Sequence, residues 1–188
     1  FSYDWIGVAS ELAAAGREVV AMDMRGFGDS TWSPSRAYGI GDYAGDCIAI
    51  LDHLGWDKVN LMGHSMGGRN ATWCAAEYPD RVNTLILCDY SPVNPQTRYV
   101  SPRTLSGVLD GKGPAGGPDM WAKLGEVAAP TLVVRGTRSD MFAAENVQKV
   151  KDTNDLITLV EVDASHDVAG DAPDALIAAI NKFLGEQS

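Results

Sequence analysis

Apolar runs of five to seven residues alternate along this chain with stretches of helical periodicity, and that rhythm restricts the fold more than any other feature. Trp5 to Ala15 has helical apolar spacing and stops at Gly16, a natural C-terminal signal. Glu18 to Met22 reads as a short buried strand, followed by the turn-rich segment from Asp23 to Ser30. Residues 42–54 return to helical periodicity, Lys58 to Met62 reads as a strand, and Met66 to Glu77 as a helix closed by Pro79. Val82 to Cys88 is a third strand. The pattern resumes later with strand 131–135, helix 143–151, strand 156–162 and helix 172–184. Strands alternating with helices of this length imply a mostly parallel sheet with helices on both faces, the α/β class.

Residues 91–120 interrupt the alternation. They hold Pro92, Pro95, Pro102, Pro114 and Pro118, with a glycine- and proline-rich run at 111–118. This segment reads as a lid, a cap remnant or a linker inserted into one core formed by 1–90 and 121–188. A chain of 188 residues that is 45% hydrophobic suffices for a single domain with a sizeable core.

Charge and cysteine usage narrow the function classes. The formal net charge of −10 disfavours nucleic-acid and anionic membrane partners and suits a neutral or cationic small molecule. Cys47, Cys74 and Cys88 are odd in number, show no CxxC spacing and lie in apolar runs. They fit small buried hydrophobes in a reducing, cytoplasmic setting better than a disulfide framework or a zinc site. No apolar run approaches the roughly 18 residues of a membrane span, and no signal peptide is visible.

The chemistry-bearing motif is Gly63-His64-Ser65-Met66-Gly67-Gly68, a G-x-S-x-G elbow. Chance alone gives about 0.1 such strings in a chain with these glycine and serine frequencies. A strand before it and a helix after it supply the context that its mechanics require. In so sharp a turn the residues two before and two after the serine must be very small, which Gly63 and Gly67 satisfy. Ser65 is therefore the candidate nucleophile. His64 adjoins it but points away in such a turn, which makes it structural. His53 lies near the end of a helix as a surface residue. His166, just past the last strand, shares the carboxyl edge of the sheet with Ser65 and is the candidate base. Asp140, past the strand between them, gives the chain order serine, acid, histidine and is the preferred orienting acid. Asp89, just past the third strand, competes on the same edge. Asp163 and Asp167 adjoin His166 too closely in sequence for the required ring geometry.

Asp23-x-Arg25-Gly26-x-Gly28-x-Ser30 resembles the D-x-R-G-x-G-x-S loop of the α/β-hydrolase superfamily. The elbow, the Gly136–Asp140 turn and the His166 segment are similar to its remaining landmarks, so the resemblance covers about residues 3–90 and 121–184. It implies a serine hydrolase that forms an acyl-enzyme and cleaves a carboxyl ester or related acyl bond of a small neutral substrate, with no metal or cofactor. Lactonase, cofactor-free perhydrolase and carbon–carbon-bond hydrolase activities use the same residues. A ligand-binding receptor or inactive relative is the non-enzymatic alternative, and the intact Ser65, Asp140 and His166 set weighs against it. The resemblance also implies an oxyanion hole from the Met66 backbone N–H and a second donor on an upstream His-Gly loop. That loop and its strand have no counterpart in the sequence. The natural polypeptide is therefore expected to extend upstream of Phe1, and these residues alone to be neither stable nor fully active.

Overall fold

The structure, a computed structural model, describes residues 2–92 and 118–187. Among the described residues, four strands, β1 (Val59–His64), β2 (Val82–Cys88), β3 (Thr131–Gly136) and β4 (Ile157–Val162), form a wholly parallel sheet in the order β1-β2-β3-β4. Helices α1 (Ile6–Ala14), α2 (Ile40–Leu54), α3 (Met66–Glu77), α4 (Met120–Glu126), α5 (Asn146–Thr153), α6 (Val168–Asp171) and α7 (Pro173–Glu186) surround it.

Side-chain alternation along the central strands divides the core in two. Ile86 and Cys88 of β2 and Leu132 and Val134 of β3 join Val8 and Leu12 of α1 and Leu176, Ile180 and Phe183 of α7. Leu85 and Leu87 of β2 and Val133 of β3 instead meet Ala71 and Ala75 of α3, Leu124 of α4 and Val150 of α5. Every residue of β3 is buried, whereas no residue of β4, at the sheet edge, is fully buried.

The structure departs from the sequence reading at residues 18–22. The expected strand is absent: residues 17–24 carry no regular secondary structure, and among the described residues β1 is hydrogen-bonded to β2 alone. Val19 packs against the α1/α7 side of the core, but Val20 is 49% exposed. An apolar run becomes a strand only where another backbone completes its ladder, and here it supplies packing without pairing. The D-x-R-G-x-G-x-S segment that follows is self-organising. Asp23 accepts hydrogen bonds from the Ser2 and Asp29 N–H groups, the Ser30 hydroxyl donates to the Asp23 carbonyl, and Arg25 grips Asp46 of α2 with two bonds of 2.6 and 2.5 Å. Helix α4, whose N-cap Asp119 accepts from the Trp121 and Ala122 N–H groups, begins inside the stretch read as a lid or linker. Residues 93–117 of that stretch lie outside the described residues.

Candidate active site

Ser65 sits between the last residue of β1 and the first of α3, with φ 52° and ψ −117°. Such a backbone costs a non-glycine residue on the order of 1–3 kcal/mol and persists only where the surroundings fix it. Three contacts do so. The Ser65 N–H donates to the Cys88 carbonyl at 3.2 Å, and the Ser65 carbonyl accepts from the Arg69 N–H at 3.1 Å. The chain also doubles back so tightly that a Cβ on Gly63 would lie 2.3 Å from the Gly67 carbonyl oxygen. Gly63 is thus required. Gly67 is not, contrary to the sequence expectation, because a Cβ there meets nothing within 4 Å among the described residues. Met66, half exposed, holds the first position of α3, where N–H groups have no intrahelical partner and the helix dipole favours negative charge.

His166 follows β4 and crosses back over the sheet. A Cβ on Gly136, at the end of β3, would lie 2.3 Å from the Ser165 carbonyl oxygen, so only glycine lets the chain pass there. The Arg138 N–H donates to the Ala164 carbonyl at 2.9 Å and anchors the crossing. This path delivers His166 to Asp89 at the end of β2: its Nδ1 lies 2.6 Å from Asp89 Oδ2. The carboxylate beside His166 is therefore Asp89, not the preferred Asp140, which is exposed and forms no hydrogen bond or ion pair among the described residues. The loop that bears Asp140 is turned so that its neighbour Ser139 faces inward instead.

The Asp89 carboxylate has no exposed surface. A carboxyl group so enclosed is costly unless hydrogen-bonded, and among the described residues Asp89 has three donors: Gly136 N–H on Oδ1 at 2.9 Å, and the Ser139 hydroxyl and His166 Nδ1–H on Oδ2. Asp89 itself has φ 42°, so two of the three positive-φ non-glycine residues described belong to this site.

His64 is a contact that sequence reasoning missed. Its Nε2–H donates to the His166 carbonyl at 2.8 Å and the two rings lie 4.5 Å apart, while Trp5 meets the His64 ring edge-on at 6.3 Å. Burial pushes the His64 imidazole below its ordinary value, and the hydrogen bond to the His166 carbonyl offsets part of that push. His166 is thereby tied to the residue next to Ser65. The Ser65 hydroxyl makes no hydrogen bond among the described residues. His53 is exposed on α2, as expected. Among the described residues, no three of His, Cys, Asp or Glu cluster as a metal ion would require, and no helix is long and apolar enough to cross a membrane.

Comparison with known proteins agrees with this fold. Residues 2–124 match the alpha/beta hydrolase fold family, and the chain belongs to that family. It is similar to a candidate esterase/lipase of Haemophilus influenzae, 26% identical over 97% of this chain and 79% of the relative. It also resembles epoxide hydrolase 2 of Siraitia grosvenorii, 38% identical over 45% of this chain and 27% of the relative. A solved marine microorganism esterase superposes with a TM-score of 0.75 at 20% identity, covering 97% of this chain and 90% of the esterase. The protein is an enzyme of hydrolase type.

Proposed function

We propose that the protein is a serine hydrolase that cleaves a carboxyl ester, or a closely related acyl bond, of a small neutral substrate. The observation that carries this reading is the strained Ser65 turn lying on the same sheet edge as a hydrogen-bonded His166–Asp89 pair. Asp89 holds Nδ1 of His166 protonated, which leaves Nε2 to take the Ser65 proton as the hydroxyl attacks the substrate carbonyl. The Met66 N–H, at the positive end of α3, stabilises the oxyanion of the tetrahedral intermediate, a contribution of about 3 kcal/mol per donor. His166 then gives its proton to the leaving alcohol. Water, activated by the same ring, releases the acyl group from Ser65.

Epoxide hydrolases are among the relatives, but the elbow here carries a hydroxyl rather than a carboxylate, which favours acyl transfer. Lactone hydrolysis, perhydrolysis and carbon–carbon-bond hydrolysis would use the same three residues. A product-resolved screen of short- and medium-chain esters, lactones and vinylogous diketones tests the choice. Release of acid and alcohol from simple esters is expected, and turnover confined to diketones would move the protein to the carbon–carbon-bond class.

A further inference from the structure

We propose that Ser139 is a positioning residue for the base, its hydroxyl fixing the Asp89 carboxylate against His166. The inference rests on the triad reading above and adds a fourth residue to it, one offset from the position where chain order had pointed.

A serine hydroxyl carries one proton and two lone pairs. At Ser139 the acceptor side is occupied: the N–H groups of Met141 and Phe142 donate to Oγ at 3.1 and 3.2 Å. The remaining proton is directed at Oδ2 of Asp89, the same oxygen that receives His166 Nδ1–H at 2.6 Å. Oδ1 is held separately by the Gly136 N–H at 2.9 Å. The carboxylate is therefore gripped at both oxygens, and it cannot rotate without breaking bonds from two directions. Because its side chain has no exposed surface, bulk water has no ready access to replace a missing hydroxyl.

Ser139 thus does for Asp89 what Asp89 does for His166. Asp140, on the same turn, points to solvent and takes no part. Ser139 touches neither the nucleophile nor the Met66 N–H among the described residues, so its effect passes through the orientation of the imidazole.

The test compares the full chain with Ser139→Ala and Ser139→Thr. With p-nitrophenyl acetate, Ser139→Ala is expected to lose about tenfold in kcat with KM within about twofold, since only the geometry of proton transfer is disturbed. Ser139→Thr, which keeps the hydroxyl, is expected to recover most of the loss. A role confined to stability would lower the melting temperature but not produce that split. Proton NMR gives a second reading: the His166 Nδ1–H resonance is expected to move downfield in Ser139→Ala, because Asp89 Oδ2 then has one donor fewer to satisfy. A folded Ser139→Ala variant with wild-type kcat and an unmoved resonance would overturn the proposal. Wild-type protein that neither turns over esters nor takes a fluorophosphonate label at Ser65 would overturn the triad reading and this inference together. The label separates that result from failure of the Ser139 role alone.

Discussion

Asp89 and Asp140 differ in their surroundings, and that difference separates what is expected of their variants. Asp89 is enclosed, triply hydrogen-bonded and in contact with His166, whereas Asp140 is exposed. Asp89→Asn is expected to lower kcat by about 10⁴, because the amide stabilises the wrong imidazole tautomer, while Asp140→Asn stays within about threefold of wild type. Steady-state kinetics on both variants checks this. A second expectation concerns His64. Its imidazole is held below 6.5 in the folded chain, so at pH values just under 6.5 the unfolded chain binds more protons than the folded one. Stability is accordingly full above about 6.5 and falls as the pH drops below it. Urea unfolding at several pH values should show a steeper loss for wild type than for His64→Gln, in which the titrating group is gone and a donor to the His166 carbonyl is kept. Equal slopes would mean that His64 titrates alike in both states.

Among the elements, the elbow makes the sharpest demand on sequence. Gly63→Ala would force a Cβ to within 2.3 Å of the Gly67 carbonyl and is expected to cost about 2 kcal/mol or more. Gly67→Ala faces open space inside α3 and is expected to be neutral or to stabilise by up to about 1 kcal/mol. Thermal unfolding of the two variants separates these outcomes. The elbow, four of five expected strands and most helices were legible because each rests on local periodicity and punctuation. Residues 18–22 were not, since an apolar run carries no record of whether a ladder partner lies beside it. Helix α4 was missed although Pro118 and Asp119 form a recognisable start signal. The carboxylate that contacts His166 was misread for a different reason. Chain order does not encode that the segment before His166 crosses over Gly136 and so reaches the end of β2. The one hint was Gly136 itself, a glycine at the end of an otherwise continuous buried strand.

At the scale of the whole molecule, the parallel sheet gathers Ser65, Asp89, Ser139 and His166 from the ends of four successive strands onto one edge. The net charge of −10 gives the molecule an overall negative field. Esters that are neutral or cationic are expected to show higher kcat/KM than anionic ones of equal length, and the gap should narrow as salt shortens the Debye length to about 8 Å or less. A preference for anionic esters at low salt would contradict the assignment of a neutral substrate. The central claim is that Ser65 is the nucleophile, and the most direct test is covalent labelling with a fluorophosphonate followed by peptide mass spectrometry. The account predicts one adduct, on the peptide containing Ser65, lost in Ser65→Ala and strongly slowed in His166→Ala. An adduct of undiminished intensity in the Ser65→Ala protein would contradict it.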